Sequence, residues 1–330
     1  MTTPSKTERP TALSLRAELE IGATAPFHFV GTVSKPSHFP SSDIAFDGTT
    51  YWQTMRFRSR VVGLRMREAG DKGAPSVSVS VFAARKLSPT FLSKLEQEIA
   101  SRFDLRADLS GFESICRSDQ VLDPVWKRWR GMRASVAMSL YEFLIIATVL
   151  QNATVRRSVQ MLEALFRRFG SRVVFDGHTL GAFWAPEAVD SADELELREI
   201  KLGYRAKTIK RQTDEFVSGS LDEPQLRALP SPELRSMLLA VYGIGPASVG
   251  YLMFEVFKRY DSFVHISPWE QKIFSRLLYD QELVDVERIL ADLERRWGPW
   301  RALAAHYLFE DLFWRHERRA IPWLTPLIRL

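Results

Sequence analysis

The chain has 330 residues, of which 45% are hydrophobic and 26% are charged, a composition typical of folded globular proteins. This length predicts roughly two domains, and the composition excludes disordered, collagenous and coiled-coil chains. The only cysteine, Cys116, excludes an internal disulfide and a cysteine-rich metal site, and the six histidines show no metal-ligand spacing. We therefore expect no metal and no cofactor.

The charge balance gives a weak indication of a partner. Lys and Arg number 45 against 40 Asp and Glu, and the net charge of +5 slightly favours a polyanion. No apolar run approaches the roughly 18 residues of a membrane span, and the N-terminal segment lacks the apolar stretch of a signal peptide. We expect a cytoplasmic protein that binds no membrane.

Composition and periodicity predict three segments. Residues 1–24 contain Thr, Ser, Pro and charged residues without periodicity, which predicts a flexible tail. Residues 25–115 are predicted to form an N-terminal subdomain with a small antiparallel β-sheet, and residues 116–330 a mostly helical body, because the hydrophobic period changes from about 2 to about 3.6. The expected fold class is α+β.

The predicted sheet has three or four strands. Asp47-Gly48 between hydrophobic residues is typical of a tight hairpin turn. Alternating apolar and Arg residues over 55–61 predict one continuous strand. A turn at Asp71-Lys72-Gly73 then leads into the strictly alternating strand 76–81.

Helices are predicted for the rest of the chain. One apolar face predicts a helix from Tyr141 to Gly170 that runs through Gln151-Asn152. A basic helix is predicted from Leu202 to Phe216. The segment from Leu234 to Lys258 is predicted to form two helices joined by a glycine-rich turn.

That turn has the pattern of a helix-hairpin-helix. Its four residues are Gly243, Ile244, Gly245 and Pro246, and the proline can occupy the first position of the second helix. The two glycines permit backbone conformations that are closed to other residues, so that backbone N–H groups can approach a DNA phosphate.

The hairpin and three further motifs resemble the helix-hairpin-helix superfamily of DNA glycosylases, which includes the inducible bacterial 3-methyladenine glycosylase and 8-oxoguanine glycosylase. The motifs are Leu150-Gln151-Asn152 followed by Arg156, the segment 202–207, and the specific block Trp297-Gly298-Pro299-Trp300-Arg301. The resemblance covers about residues 25–320.

The resemblance implies a double-stranded DNA partner and a base that leaves the stack for a pocket. Gln151 or Asn152 is then the wedge that fills the gap, and Arg156 lies near the opposite strand. Ala247 and Trp269 are the expected residues of the base pocket. We expect the protein to be a monomer.

The sequence departs from the family at the active site. The family places a catalytic Asp about 22 residues after the second hairpin glycine, and this chain has Ser267 there. Ser267-Pro268-Trp269-Glu270 is instead a capping box. Lyase-type members have a nucleophilic Lys where this chain has Ala247, so the resemblance implies monofunctional hydrolysis.

Three hypotheses for the chemistry remain open. Another acid substitutes for the missing Asp, with Glu270 first and Asp261 second. Alternatively, His265 or a water held by Ser267 suffices because the substrate base is a good leaving group. In the third hypothesis the chemistry is lost, and the protein is a catalytically silent binder of lesions or distorted DNA. The leading function is excision of a damaged base, or of a modified base in foreign DNA.

Overall fold

The computed structural model describes residues 9–38, 40–134 and 137–328. An antiparallel sheet is followed by a mostly helical chain, which confirms the predicted α+β fold class. Within the described ranges, no helix combines the length and apolar character that crossing a membrane requires.

The structure contains eight strands and fifteen α-helices in its described residues. The strands are β1 (Thr11–Ala12), β2 (Ser14–Gly22), β3 (Ile44–Phe46), β4 (Thr50–Phe57), β5 (Arg60–Gly70), β6 (Pro75–Ala83), β7 (Ser171–Phe175) and β8 (His178–Ala182). The helices are α1 (Phe29–Val33), α2 (Pro89–Arg102), α3 (Ser110–Ser118), α4 (Leu122–Trp129), α5 (Leu140–Leu150), α6 (Val155–Phe169), α7 (Pro186–Asp190), α8 (Glu194–Glu199), α9 (Arg205–Val217), α10 (Glu223–Arg227), α11 (Ser231–Ala240), α12 (Pro246–Tyr251), α13 (Pro268–Tyr279), α14 (Val286–Trp297) and α15 (Arg301–Arg318). A π-helical turn, Leu252–Val256, continues α12.

The main sheet has five antiparallel strands in the order β2-β6-β5-β4-β3. The predicted hairpin at Asp47-Gly48 is confirmed: the Asp47 carboxylate accepts the backbone N–H groups of Thr49 and Thr50, and Gly48 has a φ of 100°. In β6 the valines are fully buried, as the alternating pattern predicts.

The sequence prediction of one continuous strand over 55–61 is wrong. The segment 55–61 is not one strand, because β4 ends at Phe57, Arg58 adopts a φ of 54°, and β5 begins at Arg60. Phe57 pairs with Arg60 across this turn. The alternation of residue types continues through the two turn residues, so periodicity alone does not reveal the reversal.

The predicted tail is also wrong for its described part. Residues 1–8 lie outside the described residues, but Ser14–Gly22 forms β2 and pairs with β6 along its length. The polar side chains that suggested a flexible tail have partners in the sheet, since Glu18 and Glu20 accept hydrogen bonds from the serine hydroxyls of β6. This additional strand explains why the sheet has five strands.

The chain forms two compact units, and each is assembled from several segments. The first unit holds the described residues of segments 1–23, 39–101 and 138–222, and therefore both sheets and α5–α9. The second holds those of 24–38, 102–137 and 223–330. The predicted boundary after residue 115 falls inside α3, so the sequence-based division is not the one that the fold uses.

Each unit has its own apolar core. In the first unit, Trp52, Phe82 and Phe175 pack between the two sheets. In the second, Trp126 stacks on Tyr307 with ring centroids 5.7 Å apart, and Phe112 packs edge-on against both rings.

Candidate functional site

The predicted hairpin is present in the second unit between α11 and α12. Gly243 has a φ of 79°, a conformation that favours glycine. Ile244 is buried and anchors the turn, whereas Gly243 and Pro246 are exposed. A Cβ atom added at Gly245 would meet no protein atom within 4 Å. The glycine therefore leaves open space beside the backbone, which a ligand can approach closely.

The predicted wedge residues lie in the loop between α5 and α6 of the first unit. The continuous helix predicted over 141–170 is wrong, because α5 ends at Leu150 and α6 begins at Val155. Asn152 adopts a φ of 48°, and the Thr154 hydroxyl caps α6 by accepting the Arg157 N–H. Leu150 and Asn152 are exposed at the tip of this loop.

Neighbouring residues brace this loop. The Tyr204 hydroxyl lies 3.4 Å from Asn152 Nδ2 and 3.5 Å from the Gln151 carbonyl oxygen. The Arg205 guanidinium also donates to the Gln151 carbonyl, and it lies 4.6 Å from the centroid of the Tyr204 ring. The Tyr204 side chain remains exposed, so this brace adds an aromatic surface beside the wedge residues.

Sequence reasoning did not assign this bracing role, although the motif 202–207 contains both residues. The basic helix begins at Arg205 rather than at Leu202, because Gly203 has a φ of 63° and turns the chain before α9. Arg156 is exposed on the first turn of α6. Its side chain is accessible to a ligand.

Ser267 and Glu270 form the predicted capping box at the start of α13. The Ser267 N–H and hydroxyl donate to Glu270 Oε2 over 2.7 and 2.6 Å, and the Tyr251 hydroxyl donates to Glu270 Oε1 over 3.0 Å. Glu270 is 4% exposed. Three donors therefore hold this carboxylate as an acceptor directly beside Ser267.

The other predicted site residues lie elsewhere in the second unit. Asp261 and His265 are exposed, and Ala247 is half-buried in the first turn of α12. The Trp269 ring packs against Phe309, 5.7 Å between centroids, within an apolar cluster. The structure thus joins Ser267 to Glu270 and adds Tyr251, which the sequence did not suggest.

The block from Trp297 to Arg301 has a structural role. The buried Trp297 indole donates to the Asp119 carboxylate over 2.9 Å. Gly298 has a φ of 48°, and Arg301 donates to the carbonyl oxygens of Phe263 and Gly298. The block therefore fixes the start of α15 and the segment that leads to Ser267.

No protein-family model matches the chain. A curated relative, the probable N-glycosylase/DNA lyase of Methanothermobacter thermautotrophicus, is 24% identical over 246 residues, which cover 68% of this chain and 76% of the relative. The solved 3-methyladenine DNA-glycosylase of Archaeoglobus fulgidus superimposes with a TM-score of 0.74 at 17% identity, over 91% of this chain and 98% of that one. The chain is therefore similar in sequence to an N-glycosylase and in fold to a solved DNA glycosylase.

Similar solved structures include a complex with double-stranded DNA. The Clostridium acetobutylicum 8-oxoguanine glycosylase/lyase in complex with double-stranded DNA is 16% identical and has a TM-score of 0.61, covering 86% of this chain and 99% of that one. The α+β arrangement of this chain, a five-stranded sheet followed by a mostly helical body, is therefore that of the solved DNA glycosylases.

Proposed function

We propose that the protein is a monofunctional DNA glycosylase, which extrudes a damaged or modified base from double-stranded DNA and hydrolyses its N-glycosidic bond. The homology to N-glycosylases over 68% of the chain carries the proposal. The open hairpin at Gly245 supports a DNA partner. Ala247 follows the hairpin and has no amine, so this position supplies no Schiff-base nucleophile.

In the proposed reaction, the C1′–N bond breaks and its electron pair leaves with the base. Water then adds its oxygen to C1′ and gives one proton to a general base of the protein. The oxocarbenium-like transition state requires a nearby negative charge. We propose Glu270 as the first candidate for this carboxylate, because it lies beside the cap position, and Asp261 as the second. In the alternative, no carboxylate acts, and His265 or a water held by Ser267 suffices because the substrate base is a good leaving group.

A second candidate function is the silent binding of DNA lesions. The observation that favours it is the state of Glu270, whose carboxylate already accepts three hydrogen bonds from Ser267 and Tyr251. A carboxylate used in this way stabilises a helix start without touching a substrate.

Cleavage of the DNA strand with and without alkali tests the proposed function. The protein is incubated with a duplex that carries one damaged base, and the strands are separated with and without alkali. We expect cleavage only after alkali, since the product is an intact abasic strand. Strand cleavage without alkali, together with a covalent complex trapped by borohydride, would indicate a lyase.

Gly245→Glu is expected to weaken binding to any duplex by roughly tenfold or more, because a negative side chain would occupy the space through which a phosphate approaches. Fluorescence anisotropy over a salt series measures the affinity. Gly22→Glu is the matched control, since a Cβ there also meets no atom within 4 Å. Equal affinities of Gly245→Glu and the parent would remove the hairpin from the interface.

Replacing both Gln151 and Asn152 by Ala is expected to reduce base extrusion more than overall affinity, because phosphate contacts dominate the latter. A 2-aminopurine beside the lesion reports extrusion through its fluorescence, and anisotropy on the same duplex provides the control. If the fluorescence change equals that of the parent, the loop is only a connection between two helices.

A further inference from the structure

An open pocket of about 490 Å³ lies within the first unit, at the end of the main sheet where β4 turns into β5. The register brings the end of β6 to the same place, since Gly63 of β5 pairs with Phe82. The pocket is lined by two arginines and three residues with hydroxyl groups, which are Arg60, Arg85, Thr11, Ser59 and Ser171. Cations and hydroxyl donors on one concave surface are suited to binding an anion.

Two guanidinium groups at this end of the sheet are held in place by the protein itself. Arg60 donates to the Lys86 carbonyl oxygen over 3.1 Å, and its guanidinium lies 5.4 Å from the centroid of the Phe91 ring. Arg16 donates to the carbonyl oxygens of residues 83 and 84 over 3.1 and 3.2 Å. A guanidinium has five N–H donors, so each arginine keeps donors for a ligand. Because both side chains are already positioned, a ligand binds them at a lower cost in entropy.

The positive charge of this region has no acidic partner in the part of the chain that the structure describes. The region, called the basic end below, consists of five exposed side chains, those of Arg16, Arg58, Arg60, Arg85 and Lys86. None of the five forms an ion pair with a described residue. Glu18 lies farther along β2 and already contacts Arg65 and accepts the Ser80 hydroxyl. The mutual repulsion of these cations is therefore relieved by an anion from outside the chain.

The pocket and the predicted wedge residues lie at opposite ends of α6. Ser171 follows this helix after Gly170, whereas the loop that holds Gln151 and Asn152 precedes it. The 15 residues of α6 span about 22 Å at 1.5 Å per residue. A base pair opened at the wedge loop is therefore about one helix length from the pocket, so the pocket remains available to other DNA.

We propose that the basic end binds the backbone of a second DNA duplex while the wedge loop holds the first, with Arg60 and Arg85 donating to phosphate oxygens in the pocket. The choice of DNA rests on the proposed function, because the charges alone specify only a polyanion. Phosphate contacts are independent of sequence and let proteins move along DNA. A second surface of this kind lets the protein reach a neighbouring duplex before it leaves the first.

A complex that contains two duplexes tests the proposal. The parent protein is saturated with a duplex that carries a tetrahydrofuran abasic site and one dye, and an undamaged duplex with a second dye is then added at low salt. Sedimentation recorded at both dye wavelengths is expected to show a complex that contains both duplexes. Raising the salt concentration should release the undamaged duplex, because its binding depends on phosphate contacts. A complex that never contains both dyes would overturn the inference.

The double variant Arg60→Ala, Arg85→Ala is expected to weaken binding of the second duplex roughly tenfold or more and to reduce the salt dependence by about two phosphate contacts. Affinity for the tetrahydrofuran duplex should stay unchanged. Arg67→Ala, Lys72→Ala is the matched control, since it removes two exposed cations from the opposite end of the same sheet, one of them with a single hydrogen bond, as for Arg60. Equal losses in the two double variants would contradict the role of the basic end.

A single variant covers misfolding of the double variant, which thermal unfolding would reveal. Arg85 is exposed and makes no hydrogen bond with a described residue, so Arg85→Glu should fold normally and weaken the second duplex more than Arg85→Ala. Unchanged binding in Arg85→Glu would overturn the inference.

Competitors identify the occupant of the basic end. The undamaged DNA duplex should be displaced by unlabelled DNA at lower concentrations than by an RNA duplex of the same sequence or by deoxyadenosine monophosphate. Stronger displacement by either of these would overturn the assignment to DNA. Base release from a damaged duplex is measured separately. Binding of two duplexes without release contradicts the proposed function and leaves the basic end standing, whereas release without a two-duplex complex overturns this inference alone.

Discussion

Glu270→Gln is expected to slow single-turnover base release by about a hundredfold or more, because one electrostatic group at a transition state commonly contributes that much. Gln also completes a capping box, so the start of α13 should be retained. Release is measured at matched DNA occupancy, beside Asp261→Asn and His265→Asn. Undiminished release in all three variants would exclude these groups as the source of the proposed catalytic effect.

Ser267→Asp is the complementary variant, and the structure changes the effect on stability that we expect from it. Ser and Asp are similar N-caps, so the sequence alone predicts little loss of stability. However, Ser267 Oγ lies 2.6 Å from Glu270 Oε2, and a second carboxylate there would face the first. The double variant Ser267→Asp, Glu270→Gln removes this repulsion. If the chemistry has been lost, the double variant should gain release of labile alkylated bases.

Asp119→Ala is expected to lower the free energy of unfolding by about 3 kcal/mol, because it leaves buried donors without an acceptor. The Asp119 carboxylate accepts the Trp297 indole, two Arg296 nitrogens and the backbone N–H groups of Val121 and Leu122 over 2.8–3.1 Å. Urea unfolding measures the loss. Asp123→Ala is the control, since its Lys127 partner is exposed and such pairs contribute little. Similar losses in the two variants would contradict this role of Asp119.

The same carboxylate predicts a dependence on pH. Burial acts to raise the pKa of Asp119, but hydrogen bonds from Trp297, Leu122 and Arg296 outweigh it, so the pKa lies below its ordinary value. A depressed pKa contributes stability that is present above the unfolded value of about 4 and is lost as pH falls towards the folded value. The difference in stability between the parent and Asp119→Ala should therefore shrink below about pH 4.

Local patterns of the sequence predicted much of the fold. The hairpin at Asp47-Gly48 and the capping box at Ser267 depend on contacts between residues close in the chain, and the buried valines of β6 follow from the alternation within one strand. The prediction failed at β2, where Glu18 and Glu20 resemble a solvated tail until the serines of β6 pair with them. A strand of this kind is visible only once its partner is known.

In the candidate site, too, the sequence predicted the local features but not the contacts between distant residues. The turn from Gly243 to Pro246 is local and was predicted, whereas the brace of the wedge loop joins Tyr204 to Asn152 across 52 positions. Contacts between buried polar residues are still harder to predict, since Lys35 Nζ lies 3.2 Å from His306 Nε2 although the two residues are 271 positions apart. No periodicity or motif connects such residues, so only the fold reveals which of them lie together.

Mass-spectrometric detection of free base is the most direct test of the proposed activity. The parent protein is incubated in excess with duplexes that each carry one lesion, including 3-methyladenine, 7-methylguanine, 8-oxoguanine and an enlarged modified base, and heat-denatured protein controls for spontaneous loss. We expect release of at least one of these bases, in amounts equal to the abasic sites formed. Tight binding of these duplexes with no base above the control in any of them would contradict the account and indicate a silent binder of DNA lesions.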